Sequence, residues 1–112
     1  MNHPLDILQQ TISGRQGADP SISYTASLFK RGVPTIARKV GEEATETVVE
    51  ALSGTPETVA AESADLLYHL LVLWTATGVD PGDVWRKLER RAGVSGFEER
   101  SRRGVSNDPK GR

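Results

Sequence analysis

The 112-residue chain contains no cysteine, which excludes both a disulfide framework and a cysteine-ligated zinc site. A thiol-free chain suits a reducing cytoplasm. Long hydrophobic runs are also missing. The longest, Leu66 to Trp74, is interrupted by Tyr68 and His69, and it is about half the ~20 residues that span a bilayer. The opening residues Met1-Asn2-His3-Pro4-Leu5-Asp6 lack the basic start and apolar stretch of a secretory signal. A soluble, cytoplasmic protein with no membrane partner is expected. There is no Walker phosphate loop and no dinucleotide glycine fingerprint, because the glycines fall at helix stops. No Ser-His-Asp arrangement has positional support. Nowhere do apolar and polar residues alternate with period two, so no strand is predicted.

A large excess of one charge is absent too, the formal net charge being −1. That near-balance conceals an asymmetry. Residues 1–85 carry five Lys/Arg against eleven Asp/Glu, whereas residues 86–112 carry nine against four. A basic end could serve a polyanion, but a solvated, partly frayed terminus is the reading a generic protein favours. The expected organisation is therefore one domain over residues 1–100 and a flexible basic tail over 101–112, with no nucleic-acid partner.

What the chain does have is legible helix punctuation. Residues Pro4 to Ser13 place Leu5, Leu8 and Ile12 on one face, with Gly14 as the stop. After a loop rich in breakers, Ser23 to Arg31 reads as a short helix ended by Gly32, with a basic last turn suited to the helix dipole. Pro34 can open a third helix running to about Leu52 and Gly54. Thr55-Pro56-Glu57 opens a fourth that runs to Thr77 and Gly78, and Asp80-Pro81-Gly82-Asp83 opens a fifth ending near Gly93. Residues 94–112 are expected to hold a short ordered piece and then a loose end. The fold class is all-α, a bundle of about five helices whose short connections favour antiparallel neighbours.

The fourth helix is unusual. Leu66, Leu67, Leu70, Leu71, Val72, Leu73 and Trp74 cover nearly its whole circumference, and a helix apolar all round must be buried on every side. Five helices of this size cannot do that alone, so a two-fold homodimer is expected.

Carboxylates supply the chemistry. On the third helix Lys39, Glu43, Glu46 and Glu50 share a strip, with Glu42 at its edge; on the fourth, Glu62, Asp65 and His69 share another. If the two helices pack antiparallel, Glu43 and Glu46 face Glu62 and Asp65. Four convergent carboxylates make an oxygen-rich site for a hard divalent ion, and Mg²⁺ keeps waters that a phosphate can replace. A Glu-x-x-Glu spacing alone marks a solvated face more often than a metal site. The fourth helix argues further, because its acids directly precede an apolar turn and buried carboxylates are costly unless paired. A carboxylate-bridged di-iron or di-manganese bundle would need Glu-x-x-His spacings from two helices. Here the histidines are His69 and the distant His3, so Mg²⁺ or Mn²⁺ fits better, and His69 reads as a hydrogen-bonded core residue. Lys30, Arg31 and Lys39 are the candidate phosphate contacts, with simple dipole pairing as the alternative for Lys30 and Arg31.

Three segments carry a resemblance. Ser23-Tyr24-Thr25-Ala26, Lys39-Val40-Gly41-Glu42-Glu43-Ala44-Thr45-Glu46 and the run from Glu62 to Leu73 are similar to the phosphoribosyl-ATP pyrophosphatase family, within the MazG-like all-α nucleotide pyrophosphatases. Arg90 to Glu99 resembles that family's ending, so the likeness runs from Leu5 to about Arg102. It implies Mg²⁺-dependent hydrolysis of phosphoribosyl-ATP to phosphoribosyl-AMP and pyrophosphate, a step of histidine biosynthesis, in a free-standing form without a cyclohydrolase domain. It also implies Glu43, Glu46, Glu62 and Asp65 as metal ligands, and Glu42, with Glu43 and Glu46, as the catalytic acids. Trp74 and Thr77 depart from the family's usual residues and bear on packing. Two rivals remain at this level: a housecleaning nucleoside triphosphate pyrophosphatase, and a non-enzymatic helical module that binds a cation or a basic partner.

Overall fold

The computed structural model describes residues 3–93, and they form five helices, α1 (Pro4–Gly14), α2 (Tyr24–Arg31), α3 (Val33–Ser53), α4 (Pro56–Thr77) and α5 (Pro81–Gly93). There is no strand among the described residues. Each predicted helix is present with ends displaced by a residue or so, and the expected tail from residue 101 lies outside the described residues. The chain divides into two compact units at Val79 and Asp80.

Local chemistry sets the helix ends. At α1, His3 Nδ1 accepts from the Leu5 amide at 3.0 Å while the Asp6 carboxylate accepts from the His3 amide, satisfying two amides with no helical partner. Ser23 caps α2 by accepting from the Ala26 amide at 3.0 Å. Gly32 both ends α2 and begins α3; its φ of +94° lies where a Cβ would be strained, so the corner between the two helices depends on glycine. Thr55 and Thr58 cap α4 reciprocally. Helices α3 and α4, of 21 and 22 residues, are joined only through Gly54 and Thr55 and pack along one another as an antiparallel hairpin; each is about 30 Å long.

Helices α1 and α2 lie on that hairpin. Ile12 from α1, Leu28 from α2, Ile36 from α3 and Leu71 and Val72 from α4 are all essentially inaccessible and form one core cluster. Burial of each such side chain is worth roughly 1.5–3 kcal/mol relative to leaving it in water. Gln9 of α1 reaches α4 through Nε2, which donates to Thr75 Oγ1 at 2.9 Å.

Within one chain α4 is only partly enclosed. The apolar girdle is not buried on every side within one chain: Leu71 and Val72 are enclosed and Leu66, Leu70, Leu73 and Trp74 partly covered, while Leu67 is 44% exposed. Helices α1, α2 and α3 wrap only part of its circumference. The acids preceding that girdle, expected to point into a buried region, do not enter the core. Asp65 is exposed and Glu62 half-buried; hydrogen bonds from α1 and α2 reach α4 further along, at Tyr68, His69 and Thr75. The acids lie on the part of α4 before that cover begins.

The second unit contributes α5. Asp80 Oδ1 accepts from the Gly82 amide at 2.8 Å, Asp83 pairs with Arg86, and Arg90 and Arg91 occupy the last turn, where cations favour the helix dipole. Among the described residues no helix is long and apolar enough to cross a membrane.

Candidate active site

The α3–α4 hairpin brings carboxylates together. Glu43 of α3 and Glu62 and Asp65 of α4 each offer an oxygen, and these three atoms lie within 4.8 Å of one another. Glu43 and Glu62 are half-buried and Asp65 is exposed. Glu46, exposed, stands one turn further along α3, and Glu50 a further turn. Both are near enough to act on Glu62, whose pKa is raised above its ordinary value. Desolvation is the main cause, and the charges of Asp65, Glu43, Glu46 and Glu50 add to it.

Lys39 is the cation at this cluster. Its ammonium donates to Glu42 at 3.3 Å. Its pKa is raised, first by that hydrogen bond and then by Tyr24, with the charges of Glu42 and Glu43 contributing. One ammonium already shared with Glu42 cannot neutralise the remaining acids. The donor set is all oxygen, gathered at a cost in mutual repulsion, and this fits a hard divalent cation.

Lys30 and Arg31 are exposed in the last turn of α2. Lys30 borders a different hollow, lined by Gly17, Ala18, Pro20, Ala26 and Phe29. Glu42 and Glu46, both exposed, line a shallow hollow with Arg38, Gly41 and Thr45 beside the cluster of Glu43, Glu62 and Asp65.

His69 joins this site to the core. It is 5% exposed, and both ring nitrogens have partners. Nδ1 lies 2.7 Å from the Asp65 carbonyl oxygen. A carbonyl can only accept, so Nδ1 carries a proton, and in that tautomer Nε2 accepts from the Tyr24 hydroxyl at 3.2 Å. The expectation of a hydrogen-bonded core histidine agrees with this geometry. Tyr24 also stacks on Tyr68, with ring centroids 6.3 Å apart, and the Tyr68 hydroxyl bonds Thr25. Burial raises the Tyr68 pKa, so the phenol stays protonated. Spacing on α4 did not single out Tyr24 or Tyr68 as neighbours of the acids. The usable signal was His69 itself, a polar residue in an apolar run that needed a partner from another helix.

Residues 5–92 match the family model described as phosphoribosyl-ATP pyrophosphohydrolase. Curated relatives carry the name phosphoribosyl-ATP pyrophosphatase. The chain is 57% identical to that of Azospirillum brasilense over 99 residues, covering 88% of this chain and 89% of the relative. It is 56% identical to that of Rhodospirillum rubrum, covering 88% and 85%. With that of Parvibaculum lavamentivorans the identity is 55%, covering 89% and 92%. An all-α hairpin carrying convergent carboxylates, matched by the family model over nearly its whole described length, belongs to the phosphoribosyl-ATP pyrophosphohydrolase family.

Proposed function

We propose that this chain hydrolyses 1-(5-phosphoribosyl)-ATP to 1-(5-phosphoribosyl)-AMP and pyrophosphate, the second step of L-histidine biosynthesis. The observation that carries the chemistry is the meeting of Glu43, Glu62 and Asp65 across the α3–α4 seam, in a chain matched by that family along residues 5–92. These three, with Glu46 alongside, are the residues that would hold Mg²⁺, with Mn²⁺ as a substitute. A bound divalent ion would neutralise the triphosphate and favour both an activated water and the leaving pyrophosphate.

The chain's own groups do the rest. The acids keep a second anion out unless it arrives with a cation, so they select a cation-complexed triphosphate. Lys39 turns its ammonium from Glu42 to a phosphate oxygen, a charge-assisted contact with no desolvated carboxylate left behind, since Glu42 is exposed. Glu42 then orients the attacking water and takes its proton. The water oxygen bonds to the α-phosphorus, the bond from that phosphorus to the bridging oxygen breaks, and pyrophosphate leaves with the bridging oxygen. Lys30 and Arg31 attract the polyphosphate as it approaches.

A homodimer belongs to the same reading. Val48, Val49 and Leu52 of α3 and Leu67 of α4 are 44–83% exposed in the single chain, and a second copy would cover them. A soluble, cytoplasmic setting suits a nucleotide substrate made inside the cell.

Pyrophosphate release tests the reading. Phosphoribosyl-ATP is compared with ATP and other nucleoside triphosphates, with Mg²⁺ and with chelator. Rapid, Mg²⁺-dependent cleavage of phosphoribosyl-ATP alone is expected. Cleavage of common triphosphates without it would instead identify a housecleaning enzyme. No turnover by a folded dimer would remove the enzyme altogether.

A further inference from the structure

A hollow of about 470 Å³ opens beside Tyr24, between α1, the loop from Arg15 to Ser23, α2 and Tyr68 of α4. Its size is within the roughly 300–1,000 Å³ usual for small-molecule sites. No carboxylate of the α3–α4 cluster lines it. Its floor is apolar, built by Leu8 and the sealed Ile12, and its rim carries the exposed Ile22 and two opposite charges, Arg15 and Asp19. Among the described residues no carboxylate pairs with the Arg15 guanidinium. Asp19 is held in place by Ser21, whose amide and hydroxyl donate to Oδ1 at 2.9 and 2.8 Å. Those bonds keep its pKa below the ordinary carboxylate value, so it is a fixed anion at neutral pH.

Tyr24 is shared by the hollow and the acidic cluster. Its ring lines the hollow, while its hydroxyl donates to His69, which in turn donates to the Asp65 carbonyl. A ligand with one end at the acids and the other in the hollow would pass over the Tyr24–Tyr68 pair, which offers an aromatic surface to a purine.

We propose that this hollow is the subsite for the sugar phosphate carried on the purine of the substrate, with the Arg15 guanidinium binding the 5-phosphate and the Asp19 carboxylate accepting from the ribose hydroxyls. The proposal rests on the phosphoribosyl-ATP reading. It adds to it a physical basis for discrimination. The triphosphate and the purine are common to the substrate and to ATP, so a site that read only those would bind both alike. The phosphoribosyl group is the part that differs. An apolar floor with one unpaired guanidinium and one fixed carboxylate matches a sugar phosphate, which presents a dianion at one end and hydroxyl donors in the middle.

Ribose 5-phosphate alone is the probe, titrated at millimolar concentration into metal-free protein and followed by amide NMR shifts, with inorganic phosphate alongside. Shifts are expected around Arg15, Asp19 and Tyr24, larger for ribose 5-phosphate than for phosphate, and lost in Arg15→Met. In turnover with Mg²⁺, Arg15→Met is expected to raise KM for phosphoribosyl-ATP about 10- to 100-fold, the range of one charge-assisted contact, and Arg15→Lys to recover part of it. Any effect on ATP should be smaller. Arg15 is exposed, and an unchanged melting temperature would separate binding from folding. Absence of ribose 5-phosphate shifts in the unaltered protein, or an unchanged KM in Arg15→Met, would overturn the subsite. Failure of the unaltered protein to cleave phosphoribosyl-ATP would overturn the function, and the NMR titration would still decide the hollow.

Discussion

The two halves of α4 are built from one strip of side chains and do different work. Asp65, His69 and Val72 follow one another at spacings of four and three, which stacks them on a single face. Val72 is sealed in the core, His69 nearly so, and Asp65 is open to solvent. Nothing in helix geometry distinguishes the three positions. What differs is the cover: Tyr24, Thr25 and Gln9 reach α4 from Tyr68 onward, and before it the helix keeps α3 as its partner in the hairpin. A polar group at Val72 would be costly for lack of partners, and a carboxylate at Asp65 is cheap because water and a cation can reach it. His69 stands at the boundary and satisfies both sides with one ring.

The largest expected effect comes from the buried half. Leu71→Ala removes a side chain that is 1% exposed in the cluster with Ile12, Leu28 and Ile36, and should cost roughly 2–5 kcal/mol of folding stability. Chemical denaturation measures it. A loss under about 1 kcal/mol would mean the core closes around the gap, and that this half of α4 is less tightly built than the burial implies. The open half should behave in the opposite way. Glu62→Gln is expected to cut pyrophosphate release by about 100-fold or more, since even outer partners of metal ligands cost 10–100-fold, while the metal-free protein melts no lower than before. A destabilised Glu62→Gln with normal turnover would erase the distinction between the halves.

The boundary can be probed by His69→Phe, which keeps a flat ring and deletes both hydrogen bonds. The Tyr24 hydroxyl loses its acceptor and the Asp65 carbonyl a donor, so a cost of roughly 1–3 kcal/mol is expected. If His69 also holds Tyr24 toward the acids, KM should rise with kcat little changed. Activity measured alongside denaturation separates the two contributions.

Much of this arrangement was legible in the sequence, and the reason is local. Thr55-Pro56, Ser23, Gly32 and Gly78 mark helix ends through bonds and backbone angles made within a few residues, so reading them requires no knowledge of the fold. The pairing of α3 with α4 followed from a two-residue connection, and with it the facing of Glu43 toward Glu62 and Asp65. The extent of cover over α4 was not legible, because it depends on where α1 and α2 come to rest. For the same reason the Tyr24–His69 bond, between residues 45 apart, was out of reach of spacing. The separation of Lys30 from the acids was hidden likewise, since it depends on the corner at Gly32 and on the loop that Lys30 packs against.

The smallest effect is a pH dependence confined to the open half. Glu62 has its pKa raised, chiefly by desolvation and then by the charges of Asp65, Glu43, Glu46 and Glu50, so the folded, metal-free protein holds this proton more tightly than the unfolded chain does. Its contribution to stability is therefore fully present below the ordinary carboxylate value. It is lost as pH rises through the raised one. In chelator, the melting temperature of the unaltered protein relative to Glu62→Gln should fall across that window and be flat on either side of it. Divalent cation at neutral pH should restore the difference, because an ion on the same oxygens relieves the repulsion that the proton relieves in acid. A difference that does not change through the window would mean that the four neighbouring acids are screened by water. The seam would then be an ordinary solvated face at Glu62, and the contrast with the sealed half of α4 would be one of exposure alone.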